Sequence, residues 1–225
     1  MGKLIVIEGV DASGKATQTE KLYNYLKEKY EKVVKIEFPD YDSPSSTLVK
    51  MYLNGEFGKN ADDVSPYAAS VFFAADRFAS YKTKWQKLYE DGYIVIADRY
   101  VTANMLHQAS KIDNKEKKSE FLNWLSDFEY EKLSLPKPDI KIFLDMPCEL
   151  SFKLMEKRLN KFTNEEKKDI HESNREYMKK TYENAKYIAE NFGFNIIECS
   201  ENGDIKSIDD IHSNIKEVIE CNLKI

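Results

Sequence analysis

Arginine is nearly missing from this chain. Of 34 lysines and arginines among 225 residues, only Arg77, Arg99, Arg158 and Arg175 are arginine, so ordinary positive charge is supplied by lysine. The planar guanidinium fork suits bidentate recognition of phosphates and carbonyls, where an ammonium is only a point charge. Each of the four is therefore a candidate for a geometric role. Cysteine is also scarce. Cys148, Cys199 and Cys221 are odd in number, show no CxxC spacing, and each falls in a segment that reads as buried strand or helix. They are expected to be plain reduced thiols of a cytoplasmic protein. No run approaches the roughly 18 apolar residues that a membrane span requires. The short apolar stretch 4–7 leads straight into a glycine-rich turn and reads as a strand, not a signal segment. Nor is there an excess of positive charge: a formal net charge of -5 leaves no basic footprint for nucleic acid. Any anion site must be local. Internal repeats and low-complexity linkers are absent, and the length suits a single domain, 1–225, with one core.

Five apolar, β-branched runs are present at 3–8, 33–38, 93–97, 139–145 and 194–199. Between them lie helical patterns at 14–30, 45–54, 65–91, 101–110, 117–133, 147–160, 165–191 and 208–223. Strand alternating with helix implies a three-layer α/β fold, a five-stranded parallel sheet flanked by helices. Ser65 followed by Pro66 is a suitable helix start, Gly92 and Gly193 are suitable stops, and Pro136 and Pro138 force an extended entry to the fourth strand.

The first strand runs directly into Gly9, Val10, Asp11, Ala12, Ser13, Gly14, Lys15, Ala16 and Thr17, which open a long amphipathic helix. This is the GxxxxGK phosphate-binding loop in its proper context. Successive backbone N–H groups and the helix N-terminus form an anion cradle, and Lys15 reaches the β and γ phosphates of a nucleotide, ATP in the reading below. One hydroxyl is missing. Ala16 stands where a Ser or Thr usually helps hold Mg²⁺; either Thr17 serves, or the metal is held by phosphates, water and carboxylates, since Mg²⁺ keeps several waters.

The loop alone does not separate a GTPase, a motor ATPase and a small-molecule kinase. A guanine-reading NKxD is lacking, because its nearest approach, Asn114 to Lys117, sits in a polar charge run that reads as solvated. The third strand ends instead in Asp98, Arg99 and Tyr100, at the carboxyl edge where parallel sheets bind ligands. Asp98 and Arg99 would face the phosphates there. Taken alone, the Asp-Arg pair could also be a structural salt bridge. The DRY tripeptide together with GVDASGK resembles the thymidylate kinases, and the resemblance covers nearly the whole chain: Phe73 and Arg77 in FFAADR, Asn104 in DRYVTAN, the LPKPD lead into the fourth strand, and DIHE at 169–172.

That resemblance implies an ATP-dependent dTMP kinase, with Mg²⁺, that yields dTDP and ADP. Arg99 would bridge the acceptor phosphate and the transferring phosphoryl group, with Lys15 and Asp11 as its catalytic companions. Phe73 and Arg77, four apart on one helix face, would stack on the base and bond its O4. Asn104 would bond the base N3. In isolation Phe72 and Phe73 read more simply as core. The resemblance further implies that Asp11 contacts the sugar 3'-hydroxyl near the metal, that His107 crowds the 2'-position in favour of deoxyribose, and that Phe38, Tyr41 and His171 border the acceptor. Tyr41 stands where many members carry an arginine on the acceptor phosphate, so its hydroxyl offers a weaker clamp. Asp98, Asp11 and Glu172 are the metal candidates, and the loop 200–204 is the adenine neighbour by topology.

Residues 156–171, with Arg158, Lys161, Lys167 and Lys168, read as a lid whose Arg158 reaches ATP. A solvated basic helix face is the bland alternative. The resemblance also implies a homodimer. Two rival functions stay open on sequence grounds: another nucleotide kinase on the same scaffold, or a nucleotide-binding regulator without catalysis, suggested by Ala16 and Tyr41.

Overall fold

β1 (Lys3–Gly9) lies at the centre of the sheet, paired parallel with β3 (Ile94–Asp98) on one side and β4 (Ile140–Asp145) on the other. β2 (Val33–Glu37) and β5 (Asn195–Glu198) close the edges, so the order is β2-β3-β1-β4-β5 and every pairing is parallel. The computed structural model describes residues 1–162 and 175–223, with the backbone alone at 157–162.

Side-chain alternation sends the two faces of each strand into separate cores. Leu4, Val6, Val95, Ala97 and Phe143 point to one, where they meet Trp85, Leu106, Ala185 and Ile188. Ile5, Ile7, Ile96, Ile142 and Leu144 point to the other, against Leu22, Leu26, Ile211, Ile215 and Ile219. All four apolar residues at the centre of β1 are fully buried, as expected of a strand covered on both faces. The three layers anticipated from the sequence are thus present.

The helices are α1 (Lys15–Lys29), α2 (Thr47–Leu53), α3 (Pro66–Ser80), α4 (Gln86–Glu90), α5 (Val101–His107), α6 (Lys115–Ser126), α7 (Cys148–Phe162), α8 (Arg175–Asn191) and α9 (Ile208–Asn222). Ser65 caps α3 by accepting the Ala68 N–H at 3.2 Å, with Pro66 behind it. Asn114 caps α6 by accepting the Lys117 N–H at 2.8 Å. The Asn-Lys-Glu-Lys run is therefore a helix start, which begins α6 two residues earlier than its periodicity suggests.

Four expectations need correction. The span 65–91 is interrupted by a π-helical segment, Tyr81–Trp85, where Tyr81 meets Trp85 edge-on and Trp85 meets Tyr89 edge-on. A second π segment, Asp127–Lys132, follows α6. The stretch 200–204 is not an open loop: β6 (Ser200–Glu201) and β7 (Asp204–Ile205) form a hairpin. Its Asn202-Gly203 turn has φ of 52° and 85°, the left-handed pair that a two-residue hairpin needs. Finally, Cys221 is exposed while Cys148 and Cys199 are buried. The buried stripe of α9 runs through Ile211, Ile215 and Ile219 at steps of four, and a residue two beyond Ile219 falls on the opposite side. The expected lid beyond residue 162, with His171 and Glu172, and the side chain of Arg158 lie outside the described residues.

Candidate active site

The carboxyl ends of β1, β3 and β2 open into a cleft of about 710 Å³. Its phosphate side is the loop between β1 and α1. Gly9 is required there: a Cβ would lie 2.5 Å from Ser13 Oγ and 3.1 Å from the Leu144 carbonyl. Gly14 takes φ 88° and caps α1 without any side-chain bond, which leaves the first-turn N–H groups open to an anion. Asp11, Ala12, Ser13, Gly14, Lys15, Ala16 and Thr17 all line the cleft. Gly9 and Val10 do not; they act through their carbonyls, which accept Lys15 Nζ at 3.0 and 2.8 Å. Lys15 is held close to its own loop, and burial, then repulsion from Arg99, lowers its ammonium to about 8.

Arg99 stands in the middle of the cleft. Its Nη2 is ion-paired to Asp11, and Nη1 lies 2.9 Å from His107 Nε2. An arginine only donates, so Nε2 accepts and a neutral ring carries its proton on Nδ1. Burial is the largest single influence on Asp11 and opposes its ionisation, but the charges of Arg99 and its other basic neighbours, with the Arg99 hydrogen bond, together outweigh it and hold the carboxyl well below the usual range. Asp98 lines the same cleft. Asp11, Lys15, Asp98, Arg99 and His107 are thus brought together as the sequence suggested.

The remaining wall comes from α3, α5 and the segment after β2. Phe73, Arg77, Asn104, Phe38 and Tyr41 all line it. Phe73 meets Tyr52 edge-on at 6.2 Å, and Phe38 packs against Tyr100 at 6.0 Å. Arg77 is 1% exposed and gripped by a carboxylate absent from the sequence reading: Nε and Nη2 each donate to Glu129 at 2.6 Å.

Three other contributors escaped sequence reasoning. Asp76, next to Arg77, accepts the Asp40 N–H at 2.8 Å and the Ser45 hydroxyl at 2.5 Å, which fixes the segment carrying Tyr41. Glu8, fully buried, accepts the Tyr100 N–H at 3.0 Å and the Thr102 hydroxyl at 2.6 Å, and so holds the turn that carries Arg99. Lys111 donates to the Tyr52 hydroxyl at 2.9 Å and the Val64 carbonyl at 3.2 Å. A carboxylate at the end of an otherwise apolar strand was the one available signal, at Glu8; the partners of the others are remote in sequence.

A sequence profile described as thymidylate kinase matches residues 7–202. A thymidylate kinase of Mycobacterium tuberculosis is 35% identical over 149 residues, 66% of this chain and 68% of its own length. A probable thymidylate kinase of Pyrococcus horikoshii is 30% identical over 224 residues, covering 99% of this chain and 98% of its own. Among solved structures, the thymidylate kinase of Candida albicans superposes with a TM-score of 0.71 at 26% identity, over 99% of this chain and 92% of that one. With the phosphate loop, the Asp98-Arg99-Tyr100 turn and the cleft between them in place, the chain belongs to the thymidylate kinase family, whose members are ATP-dependent nucleoside monophosphate kinases.

Proposed function

We propose that the protein transfers the γ-phosphoryl group of ATP to dTMP, giving dTDP and ADP for deoxynucleotide synthesis. The observation that carries this reading is one continuous cleft that joins the phosphate loop to the Arg77–Asn104 wall, with Arg99 between them. ATP phosphates would lie on the loop N–H groups and Lys15. The acceptor base would lie against Phe73, with Arg77 at its O4 and Asn104 at its N3, and the acceptor phosphate would meet Arg99. Transfer is then direct and in line. An acceptor phosphate is already ionised at neutral pH, so the chain needs to supply positioning and charge stabilisation, not a nucleophile.

Arg99 would exchange its bond to Asp11 for bonds to the two phosphates, which frees Asp11 for the sugar 3'-hydroxyl. His107, fixed by Arg99, would border the 2'-position and favour deoxyribose. Tyr41, half exposed, would offer the acceptor phosphate a single hydroxyl.

Mg²⁺ fits the donors present. No group of three or more His, Cys, Asp or Glu among the described residues forms a metal cage, and Mg²⁺ bound with nucleotide ordinarily needs only one or two carboxylates beside phosphates and water. Asp98, lining the cleft at a strand end, would be the first such ligand, with Asp11 near it and Glu172 a further candidate. When bound, the ion would neutralise phosphate charge. We further propose a single kinase domain over 1–225 whose segment 156–171 closes as a lid, with Arg158 on ATP and His171 near the acceptor, in a cytoplasmic homodimer. No helix among the described residues is long and apolar enough to cross a membrane.

The test is ADP release from Mg-ATP against dTMP, dUMP, dCMP, dGMP, UMP, AMP and thymidine. The Candida albicans relative is described as having broad substrate specificity, so a panel is needed in place of one acceptor. Strong stimulation by dTMP is expected. Stimulation by a different acceptor alone would keep the chemistry and move the substrate, and silence despite ATP binding would replace the kinase with a nucleotide-binding regulator.

A further inference from the structure

Glu129 lies on the π-helical segment after α6, in the interior and with no solvent exposure. π-turns occur disproportionately at functional sites. Its carboxylate faces two residues of the cleft wall at once. Oε2 accepts Arg77 Nε at 2.6 Å, and Oε1 accepts Arg77 Nη2 at 2.6 Å and Asn104 Nδ2 at 3.4 Å. Arg77 Nη1 donates to the Tyr100 carbonyl at 3.3 Å. A guanidinium has five N–H bonds; three are used here, and the rest belong to a side chain that lines the cleft.

The amide of Asn104 is oriented by the same carboxylate. Its Nδ2 also donates to the Ser70 carbonyl at 3.4 Å, so both amide hydrogens are directed at acceptors. The flipped amide would set Oδ1 against a carboxylate oxygen and a carbonyl oxygen, an arrangement with no donor in it. Oδ1 is therefore the atom Asn104 turns to the cleft. The wall presents a donor, Arg77, beside an acceptor, Asn104 Oδ1, and the negative charge of Glu129 enforces both.

We propose that Glu129 is a specificity-determining positioning residue: by holding Arg77 as donor and Asn104 as acceptor, it matches the site to a pyrimidine with a C4 carbonyl and an N3–H. Thymine and uracil have that pattern. Cytosine has its inverse, an amino group at C4 and a bare N3, and would meet donor with donor and acceptor with acceptor. Unmatched buried polar groups are what lets a site reject an analogue by large factors. This inference rests on the acceptor base lying against Arg77 and Asn104, as proposed above. Glu129 itself touches no substrate.

The experiment measures kcat and KM for dTMP, dUMP and dCMP, together with ADP affinity and the thermal midpoint, in the unaltered protein and in Glu129→Gln. A neutral glutamine can offer its own N–H to Asn104 Oδ1 and loses one of the two acceptors gripping Arg77. The kcat/KM ratio of dTMP to dCMP, and equally of dUMP to dCMP, is expected to fall about tenfold or more, chiefly through KM, with ADP affinity retained. Removing one charge of a buried pair is costly, so Glu129→Asp provides the second variant. It keeps the charge beside Arg77, but one methylene shorter it cannot hold Arg77 and Asn104 together, and the ratios should fall in the same direction. A folded variant of either kind with the ratios of the unaltered protein would overturn the proposal, whatever its overall rate, because a purely structural ion pair lowers all acceptors alike. A loss confined to dTMP against dUMP would also overturn it, since those two share the pattern. If the unaltered protein shows no acceptor-dependent ADP release, the kinase reading fails first and this inference with it; if it does and the ratios hold, only the inference fails.

Discussion

Arg99 adopts a left-handed backbone, φ 66°, a conformation that costs a non-glycine residue about 1–3 kcal/mol and persists only where its neighbours over-determine it. Its own N–H donates to the Ile7 carbonyl at 3.1 Å, and the next N–H, of Tyr100, is taken by Glu8. The strained turn thus aims the guanidinium across the cleft at Asp11 and His107. Arg99→Lys should lose turnover by about 100-fold or more and leave ATP affinity nearly intact, because a point charge cannot bridge two phosphates with a fork's geometry. Steady-state rates beside nucleotide titration would decide it, and unchanged turnover would remove Arg99 from the chemistry. Glu8 leads to a prediction about pH. Burial raises its carboxyl from 4.5 to about 7, against the pull of Thr102 and Arg99. The folded state then keeps a proton that the unfolded chain releases, so stability is greatest below about 4.5 on this account and falls as pH rises to about 7. Glu8→Gln cannot titrate and should lose this slope, of order 2–3 kcal/mol, in urea midpoints measured across pH 5 to 7; an equally steep slope in the variant would place the proton elsewhere. At this scale the sequence exposed residues inside a spaced motif, Asp11, Lys15 and Arg99. It hid those whose role depends on a distant partner: Glu8 meets Thr102, and Glu129 meets Arg77.

Between residue and molecule, the phosphate loop is the element most fully determined by local chemistry. A Cβ at Gly9 would collide with Ser13 Oγ at 2.5 Å and press on a main-chain carbonyl of β4 at 3.1 Å, and the carbonyl cannot rotate away as a flexible side chain would. Gly9→Ala should therefore displace the loop and weaken ATP binding on the order of 100-fold, while dTMP still binds to the α3–α5 wall. Separate titrations with ADP and dTMP would show the split, and equal loss of both would mean that the loop supports the whole cleft. Strands were readable because parallel strands buried on both faces need unbroken β-branched runs, as in β1 and β3. Helix ends were readable where a cap is written locally, as at Ser65 and Asn114. The β6–β7 hairpin carried a clear signal in Asn202-Gly203, but its strands are too short for any alternation to register. The two π segments had none, since they answer to packing of Tyr81, Trp85 and Tyr89 in one case and to the buried Arg77–Glu129 pair in the other.

Across the whole molecule, charge and site are opposed. The chain carries a net charge of -5 and belongs to a family that brings two anionic substrates together, so attraction must be local; among the described residues it comes from Lys15, Arg99, Arg77 and the α1 N-terminus around one cleft. These groups already have partners: Lys15 has the loop carbonyls, Arg99 has Asp11 and Arg77 has Glu129. The cost of desolvating the cations is therefore met in folding: substrate phosphates replace the bonds of Lys15 and Arg99 instead of meeting naked charge, while Arg77 keeps Glu129. The cleft lies over the edge of a sheet whose two cores both contribute to global stability, so unfolding releases whatever is bound. A ligand at 100 times its Kd should then stabilise the protein by about 2.7 kcal/mol, which for a chain of this size raises Tm by about 5–10 °C. ADP and dTMP, added singly, should each produce such a shift, and together a larger one, in a thermal melt without turnover. A shift with ADP and none with saturating dTMP would mean that the wall of Phe73, Arg77 and Asn104 is core and not an acceptor site, and the phosphate loop would then be serving some other partner.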